Sequence, residues 1–113
     1  MEYRTLGRSG IRVSAIGLGM AAIGRPGYIN LGHGEDLDGR NSPADLDRHA
    51  GMVLVAARAA GITYFDAARS YGRAEEFLAR WLESRAPKPS EAVVGSKWGY
   101  VYTADWTVDA DVH

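Results

Sequence analysis

Cysteine is absent from the 113 residues. That excludes disulfides, thiolate nucleophiles and Cys-type zinc sites. No apolar run approaches the ~18 residues that a membrane-spanning helix needs. Charge of one sign is lacking too: thirteen Lys and Arg stand against fourteen Asp and Glu, a net charge of −1. There is no basic surplus to draw a nucleic-acid backbone. The start, Met1-Glu2-Tyr3-Arg4, lacks the apolar core of a signal peptide, so a cytoplasmic location is expected. What is present is an ordinary globular mixture, 46% hydrophobic and 24% charged. The length suits one domain.

The chain opens as a β-hairpin. Tyr3 to Leu6 and Ile11 to Ser14 read as short strands, and Gly7-Arg8-Ser9-Gly10 supplies a turn tolerant of positive φ. Ile11, Val13 and Ala15 alternate with Arg12 and Ser14, the period of a half-buried strand. The run from Ala15 to Met20 is nearly all apolar and predicts a strand buried on both faces. Gly24 to Asp45 holds five glycines, two prolines and four acidic residues, which predicts a long Gly-rich loop. Within its end, Ser42-Pro43-Ala44-Asp45 reads as a helix start: N-cap, first-turn proline and capping-box acid. Leu46, Ala50, Val53, Leu54 and Ala57 continue at helical spacing, and Gly61 is the stop. Ile62 to Phe65 predicts a buried strand ending at Asp66. A helix over residues 73–84 follows, with Phe77, Leu78, Trp81 and Leu82 on its apolar face. Ala92 to Gly95 predicts a third buried strand, ending at Ser96-Lys97. Alternating β and α units imply an α/β fold with a parallel sheet and right-handed crossovers.

In parallel α/β folds, ligands bind beyond the C-terminal ends of the strands. Three places qualify: Gly19-Met20, Asp66 to Gly72, and Lys97-Trp98. A carboxylate (Asp66), a phenol (Tyr71) and an ammonium (Lys97) can therefore meet on one face. An unperturbed phenol titrates near ~10, too high for an efficient proton donor at neutral pH. An adjacent ammonium favours the phenolate, and a carboxylate beside the ammonium keeps it protonated and oriented. Such a set suits protonating a developing alkoxide. The same spacing equally suits an Asp66 turn cap, a packed Tyr71 and a solvated Lys97.

The segment from Met1 to Ser14, followed by Gly17-Leu18-Gly19, resembles the opening of an aldo-keto reductase. Gly61-Ile62-Thr63-Tyr64-Phe65-Asp66-Ala67-Ala68-Arg69-Ser70-Tyr71-Gly72 resembles that family's second strand and catalytic loop, and Glu75 and Glu76 continue the match. Gly95-Ser96-Lys97-Trp98-Gly99 resembles its third strand end. The resemblance implies an N-terminal hairpin plus about three βα units of a TIM (β/α)8 barrel. It implies hydride transfer between a nicotinamide cofactor, NADPH, and a carbonyl or alcohol. Of the family's catalytic tetrad, it places Tyr71 as general acid, Lys97 as the group that lowers its pKa, and Asp66 as the partner of Lys97. The tetrad His ends the family's fourth strand, beyond residue 113, and none of His33, His49 and His113 takes that part. Gly19, Met20 and Asp66 are the expected contacts of the nicotinamide end. Ala67 and Met20 depart from the Thr that many members carry there.

Other signals are weaker. Gly17-Leu18-Gly19-Met20-Ala21-Ala22 fits a loose dinucleotide pattern, but a Rossmann site needs a helix at residues 20–30, and Gly24-Arg25-Pro26-Gly27 argues against one. Asp105, Asp109, Asp111 and His113 read as an acidic tail, so no metal is expected, and Trp81 reads as core. A full barrel usually takes about 250 residues. The 113 residues alone are therefore expected to be marginally stable and nearly inactive. Their expected partners are a small carbonyl substrate and the remaining barrel half or a related chain, with neither nucleic acid nor membrane. The alternative is a non-catalytic interaction or regulatory module.

Overall fold

The hairpin forms as its sequence implies. In the computed structural model, which describes residues 1–25, 42–100, 102, 103 and 106, strand β1 (Tyr3–Thr5) pairs antiparallel with β2 (Arg12–Ser14). Gly7 and Gly10 take φ of 54° and 75° in the connecting turn. Ser9 Oγ donates to the Leu6 carbonyl at 2.6 Å and accepts from the Ile11 amide at 3.0 Å. The half-buried alternation holds only at Val13, because Ile11 and Ala15 are exposed and Ser14 is buried. Ser14 tolerates burial through two reciprocal bonds of 2.9 Å: its amide donates to Thr63 Oγ1, and the Thr63 amide donates to Ser14 Oγ. These bonds tie the hairpin to the main sheet.

That sheet is parallel, in the order β3 (Leu18–Gly19), β4 (Tyr64–Asp66), β5 (Val93–Gly95). Helix α1 (Pro43–Ala59) lies between β3 and β4 in sequence, and α2 (Ala74–Arg85) between β4 and β5. Both helices cover one face. Leu54 and Ala57 from α1, Phe65 from β4, and Ala74, Leu78 and Trp81 from α2 enclose the fully buried Met20. Phe65 and Trp81 meet with ring centres 5.9 Å apart. Leu46, Ala50 and Phe77 seal the contact between the helices. Four of the five expected stripe residues on α1 are buried, and Val53 is half-buried. Leu82 on α2 is likewise half-buried.

Two of the three expected buried strands are not buried. In the run from Ala15 to Met20, only Leu18–Gly19 is strand and Ile16 is 62% exposed. In β5, Val94 is 47% exposed although it pairs in register with the fully buried Phe65. The helices cover β4 fully, while β3 and β5 lie at the sheet edges, where Leu18 is only partly covered and Val94 is exposed. Apolar sequence marked strands meant for burial; neighbours decide whether burial happens.

Helix α1 starts on its expected cap. Ser42 Oγ accepts from the Asp45 amide at 3.1 Å, and Pro43 occupies the first turn. Ser42 Oγ also donates to the Asp45 carboxylate at 2.7 Å. That bond, then Arg48, holds the Asp45 carboxyl below its ordinary 3.8. A lowered carboxyl stabilises the fold above its unfolded value and loses that effect as pH falls through the folded one. Ser42→Ala removes the N-cap acceptor, and that loss is expected to cost about 1 kcal/mol at neutral pH. Its deficit against the parent should shrink in acid below 3.8. Urea denaturation at neutral pH and in acid measures both effects; a deficit that grows in acid contradicts this account.

The long loop enters the described residues only at its two ends. Residues 20–25 form turns and a bend, not the helix that a Rossmann site requires, while residues 26–41, with His33 and the segment from Tyr28 to Leu31, lie outside the description. Asp105, Asp109, Asp111 and His113 also lie outside it. His49 is half-buried on α1, away from the strand ends.

Candidate active site

The parallel register brings three strand ends to one level. Gly19 pairs with Asp66, and Asp66 with Gly95. Neighbours paired in a parallel sheet share a face, and Phe65 takes the helix-covered one. Gly19, Asp66 and Gly95 therefore share the other. Beyond the strands the pairing continues: the Ala67 amide donates to the Gly95 carbonyl at 3.0 Å, and the Arg69 amide to the Lys97 carbonyl at 3.1 Å. The loop that carries Tyr71 is thus zipped to the segment that carries Lys97.

The three expected side chains meet. Lys97 Nζ donates to the Tyr71 hydroxyl at 2.5 Å and to Asp66 Oδ2 at 3.1 Å. The Tyr71 hydroxyl lies 3.3 Å from the same Asp66 oxygen, as donor. Lys97 Nζ also stands 4.9 Å from the centre of the Tyr71 ring. Bonding to Tyr71 first, and to Asp66 second, raises the Lys97 ammonium above its ordinary 10.5. Its charge is therefore kept through neutral pH and is lost only in strong alkali. The site is open: the Lys97 side chain is 59% exposed and that of Asp66 29%. In such a setting the ion pair adds little stability. The arrangement can hold a phenol's proton beside a fixed positive charge, which is the set-up of an acid catalyst.

Glycine makes the close approaches possible. Gly72 adopts φ +59°, and the carbonyl of Gly24 accepts from the Arg73 amide at 2.7 Å, one turn from Tyr71. Sequence reading treats Gly24 only as the start of the long loop; it has no signature that marks a packing role against Tyr71. On the open face, a Cβ at Gly19 would meet nothing within 4 Å. The face beside Asp66 is therefore open at Gly19. Met20 is wholly buried in the core, and its amide donates to the Asp66 carbonyl at 2.9 Å. Its backbone, not its side chain, meets the strand end at Asp66. An open cleft of about 460 Å³ adjoins the site, lined by Arg69, Glu75, Trp98 and Tyr100 among others. Trp98 is 91% exposed there.

Residues 15–112 match the model of the Aldo/keto reductase family. The chain is 33% identical over 103 residues to a rice protein named as a probable voltage-gated potassium channel subunit beta, covering 88% of this chain and 26% of that one. It is 38% identical over 104 residues to a Pyridoxal 4-dehydrogenase of Microbacterium luteolum, covering 90% of this chain and 25% of the relative. A solved structure described as an aldo-keto reductase of Pseudomonas aeruginosa superposes with a TM-score of 0.63 at 32% identity, over 89% of this chain and 32% of that one. The chain thus spans about a quarter of the length of the curated relatives it matches.

Proposed function

The chain belongs to the aldo/keto reductase family, and from that membership we propose that it reduces a small carbonyl compound with NADPH, Tyr71 being the general acid. The single observation that supports this reading is the mutual contact of Tyr71, Lys97 and Asp66 at the strand ends. NADPH, when bound, supplies the hydride that reduces the carbonyl carbon. Gly19 and Asp66 line the space for its reactive end. The Tyr71 hydroxyl gives its proton to the carbonyl oxygen as charge develops there. Lys97 stays protonated, stabilises the phenolate left behind and holds its position against Asp66. In this reading the hairpin and the three parallel strands open a (β/α)8 barrel, completed by further strands.

The open exposure of Lys97 weakens this chemistry, because water screens the ammonium. The 113-residue chain by itself is therefore expected to turn over weakly. The deciding experiment uses NADPH carrying deuterium at its transferable position with a reactive aldehyde. Deuterium in the alcohol carbon supports the reading, from the chain alone or from a version extended by the remaining strands. Its absence from both overturns it. A second reading, an interaction module, gains support from the likeness to the channel-subunit relative and from exposed Ile16, Val94 and Trp98. It requires that no deuterium transfer occurs.

A further inference from the structure

A second carboxylate touches both arms of the site. Glu75, in the first turn of α2, is not part of the Asp66, Tyr71 and Lys97 group. Its Oε1 lies 3.7 Å from Arg69 Nε, two residues before Tyr71. Its Oε2 accepts from Ser96 Oγ at 3.5 Å, one residue before Lys97. Between those two contacts runs the backbone bond from the Arg69 amide to the Lys97 carbonyl, 3.1 Å. One side chain fixed to α2 therefore spans the seam between the Tyr71 loop and the Lys97 segment. The other ion pairs of α2 serve different ends: Arg80 joins Glu76 and the α1 residue Asp47.

We infer that Glu75 is a positioning residue: through Arg69 and Ser96 it sets the separation of the Tyr71 hydroxyl and the Lys97 ammonium. This rests on the reading of Tyr71 and Lys97 as an acid–base pair, but the contact geometry stands without it. Arg69 and Ser96 are both exposed, and each contact by itself is weak. Their value lies in being made by one group on a rigid helix. Without Glu75, the end of the seam is held by a single backbone bond, and the Lys97 ammonium keeps its place by its own bonds to Tyr71 and Asp66 alone.

The chain has two lysines, Lys88 and Lys97, so lysine-labelled protein gives two side-chain NMR signals that are easily told apart. Glu75→Ala is expected to lower the Lys97 titration midpoint toward its ordinary 10.5. Glu75→Gln removes the same charge but keeps one acceptor oxygen for Arg69 and an amide N–H that can donate to Ser96 Oγ, and should leave the midpoint close to that of the parent. Ser96→Ala, which leaves every charge in place, should lower it as Glu75→Ala does, and it answers the question if Glu75→Ala does not fold. Equal shifts in Glu75→Ala and Glu75→Gln would mean that only charge matters, and would overturn the proposal. An unmoved Lys97 in Ser96→Ala would overturn it as well. In a protein with turnover, Glu75→Ala should lower kcat about tenfold with KM unchanged, the pattern of a misplaced group. A parent without turnover defeats the reductase reading alone, since the titration still decides the role of Glu75.

Discussion

Tyr71→Phe is expected to lower carbonyl reduction about 10²–10⁴-fold, the usual contribution of a positioned general acid. The substitution removes one oxygen and keeps the ring. That oxygen accepts from Lys97 at 2.5 Å and donates to Asp66 at 3.3 Å. The ring stays half-buried at the edge of the main core, so the fold should survive. The loss should fall on kcat, because the proton is needed in the transition state and not for binding. NADPH oxidation with a reactive aldehyde, followed in the parent and the variant of an active form, gives the ratio. A variant that keeps half of the parent rate would remove Tyr71 from the chemistry. Lys97→Met should fall in the same direction, since it takes away the charge that stabilises the phenolate.

The largest expected loss of stability is at a glycine. Gly24→Ala places a methyl group against the Tyr71 carbonyl oxygen, with Ala74 Cβ at 2.6 Å and the Ala74 amide nitrogen at 2.9 Å. Two of those three atoms are backbone and cannot rotate away. The cost is expected near the top of the about 1–3 kcal/mol range for overpacking. Relief requires the loop to move, and the loop carries Tyr71. Activity and stability should therefore fall together. Gly51→Ala is the matched control. It lies within α1, where an added Cβ would meet nothing within 4 Å. Alanine there should stabilise the chain by about 0.5–1 kcal/mol through helix propensity. Urea midpoints of the two variants should move in opposite directions. If Gly24→Ala leaves the midpoint unchanged, the close packing of that loop is not as described.

The element order could be read from the sequence because each element carries a local signal. Ser42 and Pro43 mark the start of α1, the 3.6-residue spacing of Leu46, Ala50, Leu54 and Ala57 gives its buried stripe, and Gly61, at φ +92°, marks its end. Asp66, Tyr71 and Lys97 could be found because strand ends are where parallel sheets place ligands. Burial of the outer strands could not be read. Ile16 and Val94 are as apolar as a core demands, and their exposure depends on which helices reach the sheet edges. The burial of Ser14 was hidden for a similar reason: its partner, Thr63, is 49 residues away. Gly24 and Glu75 were also out of reach as parts of the site. A glycine opening a loop and a glutamate opening a helix have ordinary local explanations, and only the fold brings them beside Tyr71 and Lys97.

The pairing of Gly19, Asp66 and Gly95 at one level has a consequence for folding errors. Phe65 and Asp66 point to opposite sides of β4. A slip of one residue against β3 and β5 would exchange them. The phenyl ring would then face water, and the carboxylate would enter the helix-covered core in the place of a wholly buried ring. Burying an unpaired carboxylate is among the most costly errors a chain can make. The side chain proposed to serve catalysis thus also penalises any molecule whose strands are misaligned by one residue.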